Sequence, residues 1–237
     1  MTTTIVPTLT VESAALDAVK YDMYRNIHKG IRYVLGGVTT SAGRVDPGDD
    51  TAVEALGAQW HDIVRLLVGH AEHENDFIGP LLDIHAPALG SVIADQHEQI
   101  EHQLAQLEVL ADRAVGSAVA DRRAVTHRLY LALASFTATF FQHMELEELE
   151  VNPTLSQAIS LEGLREVEHE LVASLSPEEV AQAAALMLPA MNVEDHVEWF
   201  GGMRAGAPPE AFAGVLGLAR TVLAQASYEK VASRLGV

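Results

Sequence analysis

Two stretches decide how this chain reads: HAEHENDFIGP, from His70 to Pro80, and HMELEELEVNP, from His143 to Pro153. In each, a glutamate follows the histidine by four residues and a proline follows it by ten. Four residues is about one helical turn, so His70 with Glu74, and His143 with Glu147, share a helix face and reach the same point of a bundle interior. Amphipathicity alone does not require such a repeat. A single histidine on the preceding helical stretch accompanies each copy, His28 lying 42 residues before His70 and His97 lying 46 before His143. The sequence therefore reads as two similar helical hairpins. Each offers one histidine from its first helix and a histidine with a glutamate from its second.

On either side of these stretches apolar residues recur at three- and four-residue spacing, aromatics are only 5%, and no stretch reads as a strand. The spacing predicts a first helix from about Val11 to Leu35, stopped by Gly36, Gly37 and the TTSAG stretch. A second is expected from Asp50 to Ile78, ending before Gly79 and Pro80. A third covers about Val92 to Ala114, and a fourth about Ala120 to Val151, halted by Asn152 and Pro153. The fold class expected is all-α: an up-down-up-down four-helix bundle over 11–155, with an additional C-terminal helical layer over 156–237. In that layer the SPEE run, Ser176 to Glu179, carries a capping box, and Asn192 is read as a further cap.

Composition narrows the chemistry. With 15 Lys+Arg against 33 Asp+Glu the net charge is -18, which repels phosphate backbones and anionic lipid, so neither nucleic acid nor membrane is an expected partner. The absence of cysteine removes disulfides, thiolate nucleophiles and sulfur-ligated metals together. No run of 18 uncharged apolar residues and no basic leader followed by an apolar stretch is present, and the expectation is a soluble cytoplasmic protein. Several carboxylates converging in a bundle core are very costly unless cations neutralise them. Imidazole with carboxylate, without sulfur, points to iron first, manganese next and zinc third.

At His28, the HxxxE of His70 and Glu74, His97, and His143 with an acid at Glu147 or Glu148, the sequence resembles the hemerythrin family in its wider HHE cation-binding form. The resemblance covers about residues 12–155. It implies a cofactor of two iron ions, oxo- or hydroxo-bridged, with His28, His70, Glu74, His97, His143 and an acid at Glu147 or Glu148 as the matched ligands; the candidate set for this chain takes Glu147 and adds Glu101. Two departures stand out. Oxygen carriers of the family place a second third-helix histidine four residues after the first, where this chain has Glu101. The carriers also step five residues from the fourth-helix histidine to its acid, matching Glu148, whereas helical geometry favours Glu147.

What the resemblance implies is a non-haem di-iron protein reacting with peroxide, nitric oxide or dioxygen, in the manner of a peroxidase or catalase-like oxidoreductase. The alternative is a non-catalytic oxygen or iron binding or sensing protein. A carboxylate in place of an imidazole stabilises ferric iron and works against easy oxygen release, which favours the redox reading. Tyr24, one turn before His28, is a candidate donor or ligand, with core packing as its default role. Phe77, Phe136, Phe140 and Phe141 are candidate apolar walls. His73 and His102 point off the ligand stripe, and His61, His85, His127 and His169 lack matching spacing. His196, beside aromatics in NVEDHVEWF, is read as packing with a smaller claim to the site.

Overall fold

The computed structural model describes residues 17–237. After turns over 17–24, four long helices build the bundle: α1 (Arg25–Arg44), α2 (Asp50–His73), α4 (Pro87–Gly116) and α5 (Val119–Leu146). Short links join α1 to α2 and α4 to α5, each helix packs on the next, and α5 closes the ring on α1. Among the described residues there is no strand, and no helix is long and apolar enough to cross a membrane.

The first helix differs from expectation at both ends. Residues 11–16 of the predicted span lie outside the described residues, and α1 continues through Gly36 and Gly37 to Arg44. The reason is the apolar stripe Ile31, Leu35, Val38 and Ala42, fully or nearly fully buried at three- and four-residue steps, whose packing outweighs the glycine penalty of about 1 kcal/mol each. Thr39 on the same stretch hydrogen-bonds Thr137 of α5 at 3.0 Å. The third helix begins at Pro87, earlier than predicted, with proline in its first turn where its missing N–H costs nothing.

Neither Pro80 nor Pro153 ends its helix. In both copies of the repeat the α-helix widens into one π-helical turn, Glu74–Ile78 and Glu147–Val151, and then resumes as α3 (Gly79–His85) and α6 (Asn152–Ala158). The Gly79 N–H donates to the Glu74 carbonyl, and the Asn152 N–H to that of Glu147, each spanning five residues. Such a turn shifts the ladder by one residue, and a proline directly after it has no N–H to leave unpaired. The repeat seen in the sequence is thus a repeat of backbone geometry, with the glutamate at the start of the wide turn each time.

Apolar packing flanks the repeated His and Glu positions on both sides. One cluster contains Ile31, Leu35, Leu67, Ile100, Leu104, Leu133 and Phe140. The other contains Tyr24, Ile78, Leu82, Ile93, Val151, Leu155 and Leu164, the last from α7 (Leu161–Ser174). From Tyr24, the residue that precedes α1, through His28 to Ile31 the chain therefore passes from one apolar cluster, through a polar level, into the other.

The C-terminal helices are α8 (Pro177–Met187), α9 (Val193–Gly206), α10 (Pro209–Val222) and α11 (Gln225–Leu235), with a 3-10 turn at Leu188–Ala190. The capping boxes at Ser176 and Asn192 both form. These helices enclose a core of their own around Leu188, Phe200, Val215, Ala219 and Val231. They meet the bundle along α1, where Leu186 joins the bundle core and Lys29 donates to Asp195 at 2.5 Å.

Candidate metal centre

The polar level of the bundle gathers six of the predicted residues. His28, His70, Glu74 and Glu147 form one group and Glu74, His97, His143 and Glu147 another, each with its donor atoms within 4.8 Å of one another. In the first, His28 Nε2 lies 3.4 Å from Glu147 Oε2 and 3.9 Å from Glu74 Oε1, while His70 Nε2 lies 3.2 Å from Glu74 Oε1. In the second, His97 Nε2 is 3.3 Å from Glu74 Oε2 and 3.8 Å from Glu147 Oε1, and His143 Nε2 is 3.2 Å from Glu147 Oε1. Each carboxylate thus turns one oxygen to each group. Two imidazoles and two carboxylate oxygens surround each of two adjacent points.

These atoms are poorly served by one another. His28 Nε2, His70 Nε2, His97 Nε2, both oxygens of Glu74 and Oε2 of Glu147 are buried without a hydrogen-bond partner. Leaving that many buried polar atoms unpaired costs several kcal/mol. Metal–donor bonds of about 2.1 Å place neighbouring donors on one ion roughly 3.0 to 3.4 Å apart, close to the spacings here. The donor set therefore fits metal ions, and the convergent unpaired lone pairs supply what such ions need.

The far side of three imidazoles is held. The Nδ1 of His28 lies 2.9 Å from Glu148 Oε1, that of His97 2.8 Å from Asn75 Oδ1, and that of His143 2.8 Å from Gln96 Oε1. Carboxylate and amide oxygens accept, so each Nδ1 carries a proton and each Nε2 is the nitrogen that faces the centre, available to a cation once it has given up any proton of its own. Arg32 in turn grips Glu148 with two hydrogen bonds of 2.6 and 2.9 Å. Sequence reasoning missed Glu148, Asn75 and Gln96 in this role, because no spacing rule links a ligand to an acceptor on a different helix.

Electrostatics in the metal-free chain follow from this crowding. Burial lowers the pKa of His28, but the Glu148 hydrogen bond and the adjacent Glu74 and Glu147 carboxylates overcome it and raise it to about 9. His97 is likewise raised to about 9 by Glu147 and Glu74 against its burial. For His70 burial prevails and the pKa falls. Glu74 would be raised by burial, yet the imidazoles of His70, His28 and His97 hold it well below the ordinary range. Glu148, also against burial, is brought down to about 2 by His28 and Arg32. Protons on the imidazoles thus offset the buried carboxylates, and a bound cation takes over that task.

Glu101 does not join the cluster. The buried stripe of α4 runs Ile93, His97, Ile100, Leu104, Leu107, and Glu101 falls on its exposed flank. Glu148 likewise stands behind His28 instead of among the inward donors, which leaves Glu147 as the acid of the fourth helix in both groups. Tyr24 is 4% exposed, its ring centroid 4.9 Å from that of His28. Burial, and then the Glu147 and Glu74 carboxylates, push its phenol well above its ordinary pKa, so it keeps its proton. His196 is buried in the C-terminal layer with Nε2 2.9 Å from the Leu188 carbonyl oxygen, away from the cluster. His61 pairs with Asp112 and His102 with Gln106.

A cavity of about 230 Å³ opens beside the two carboxylates, lined by Tyr24, Glu74, Glu147, Ile78, Leu82 and Ile93 among others. Of the four phenylalanines expected as apolar walls, Phe136 and Phe140 are buried in the bundle core, Phe140 edge-on to His143, and Phe141 lies beneath Arg32. None of them lines this cavity.

Fold and site together define a helical-bundle protein with a buried histidine–glutamate centre suited to metal. A family model described as the hemerythrin HHE cation binding domain matches residues 19–155, more than half of the chain. The chain belongs to that family and carries its cation-binding domain. No curated protein and no solved structure matches it.

Proposed function

We propose that the centre holds two iron ions and reacts with a small oxygen or nitrogen ligand, namely peroxide, nitric oxide or dioxygen, in redox or detoxification chemistry. The observation that carries this reading is the division of Glu74 and Glu147, each turning one oxygen to each of two points that already have two imidazoles. The ligands in this reading are His28, His70, Glu74, His97, His143 and Glu147, with Glu101 left out because it is exposed. An ion that takes six ligands meets four here, which leaves room for a small molecule on the side of the cavity. Bound iron would supply one-electron chemistry and Lewis acidity at that place.

The chain's own groups support the rest. Glu148, Asn75 and Gln96 fix the imidazole tautomers, and the apolar clusters above and below limit water. Tyr24 offers a protonated donor at the cavity wall. Two imidazoles per ion is a donor set rich in carboxylate, which favours the ferric state over reversible oxygen carriage. The alternative, a non-catalytic oxygen or iron sensor, draws on the docking of the C-terminal layer against α1 next to His28. In either case the same division of the chain is proposed, a bundle to residue 155 and an extension over 156–237.

The test is iron analysis of protein from iron-supplied cells, followed by mixing with hydrogen peroxide, with and without nitric oxide. About two irons per chain and sustained peroxide consumption are expected. Repeated oxygen uptake and release without peroxide consumption would transfer the protein to the carrier or sensor class, and absence of iron would end the reading. Glu101→Ala should leave iron content and spectrum unchanged.

A further inference from the structure

The two halves of the centre have the same inward donors but different backing. Behind His28 stands a carboxylate, Glu148, 2.9 Å from Nδ1 and clamped in place by the two terminal nitrogens of Arg32. Behind His97 and His143 stand neutral amides, Asn75 and Gln96, each at 2.8 Å. A carboxylate draws the Nδ1 proton toward itself more strongly than an amide oxygen does. The imidazole behind which it stands thereby becomes the better electron donor through Nε2, and its field adds attraction for a cation. Arg32 tempers that field, but its two-pronged grip also keeps the carboxylate from swinging away.

Taking the two-metal reading above as its premise, we propose that the two metal positions are unequal. Glu148, held by Arg32, makes the position of His28 and His70 the one that fills first and holds its ion more tightly. Glu148 is a positioning residue here, since it acts on the ion only through His28. Its side chain is 26% exposed at the edge of the bundle, so a glutamine of nearly the same shape replaces it without leaving a new buried group unpaired. The position of His97 and His143 fills second and gives up its ion first.

The experiment titrates the full-length metal-free chain with cobalt(II) alone and follows the ligand-field absorption. The unmodified chain should take up one cobalt in a tight phase and a second in a phase at least about tenfold weaker, the scale on which groups behind metal ligands act. Glu148→Gln should weaken the first phase by about 10- to 100-fold and leave the second in place, so that the two merge. Asn75→Asp puts a carboxylate behind His97 and should strengthen the second phase instead, a gain that damage to the fold would not produce. Two cobalt ions taken up in a single phase by the unmodified chain, or equal weakening of both phases by Glu148→Gln, would overturn the inequality while leaving the two-metal reading intact. Uptake of fewer than two cobalt ions would overturn the two-metal reading, and the inequality with it.

Discussion

The bundle and the C-terminal layer are both helical and both well packed, yet they are held by different means. The bundle keeps a polar level between two apolar clusters, with buried imidazole and carboxylate atoms that lack protein partners. The layer has a continuous apolar core around Phe200, and its buried Asp195 is satisfied by Lys29 and by the Asn192 N–H. Part of the bundle's stability is thus deferred to a cation, whereas in the layer, over 177–237, His196 Nδ1 is the single buried side-chain atom left without a partner and no second donor converges on it. Function is to be sought in the bundle, since a region that folds around converging unpaired donors carries a cost that packing alone does not explain.

The largest effect should come from the carboxylate shared by both halves of the centre. Glu147→Ala removes one oxygen from each group. We expect metal affinity to fall by more than about a hundredfold at both positions, beyond what loss of a residue behind a ligand costs. Metal analysis and thermal melting with and without metal would read this, and the variant should melt alike in both conditions. A variant that still takes up two ions and is stabilised by them would erase the distinction between the two regions.

Next comes the layer. Phe200 is fully buried there, and Phe200→Ala should cost about 3–5 kcal/mol locally, with loss of amide-exchange protection over α9, α10 and α11. Metal content should stay at the level of the unmodified chain. Loss of metal in this variant would mean that the bundle cannot organise its polar level without the layer.

The sequence and the structure agree most where a pattern repeats. The spacing of His70 with Glu74 and of His143 with Glu147 carries both the bundle and the heart of the site, because one helical turn is local geometry. What was not legible depended on contacts between distant segments. The wide turns after Glu74 and Glu147 let the helices pass Pro80 and Pro153, and a proline read alone signals a stop. Gly36 and Gly37 read as breakers until the buried stripe on either side of them is seen in place. Glu101 sits at helical spacing from His97, yet the stripe of α4 steps from His97 to Ile100 and turns Glu101 outward. Spacing favours Glu147 over Glu148 without deciding between them, while the place of Glu148 behind His28 needed the fold.

A smaller effect tests how the two regions meet. A Cβ on Gly30 would come within 2.7 Å of Leu186 Cγ and 3.1 Å of the Leu186 carbonyl oxygen. Because backbone stands behind the leucine tip, Gly30→Val should cost about 1–3 kcal/mol through overpacking, offset slightly by valine's gain over glycine in a helix. Differential protease cutting between α7 and α8 would detect a layer that has been pushed off α1. The result would also show whether a displaced layer moves His28, two residues away, as a change in metal affinity.

The smallest effect concerns the ion pair at that same seam. Lys29 donates to Asp195 at 2.5 Å, and Arg25 reaches Glu198 at 3.3 Å on the same face. Burial would raise the Asp195 pKa, but Lys29, the Asn192 N–H and Arg25 hold it below its ordinary 3.8. A carboxylate whose folded value is depressed contributes stability above its unfolded value and loses it as pH falls through the folded one. Docking of the layer should therefore be constant from neutral pH down to about 4 and weaken below it, with bundle and layer read separately by amide exchange. A double-mutant cycle of Lys29→Met and Asp195→Asn should give a coupling of about 0.5–1 kcal/mol at pH 7 and close to none at pH 3. No coupling at either value would show that Asp195 acts at the seam through the capping box of α9 and not through its charge.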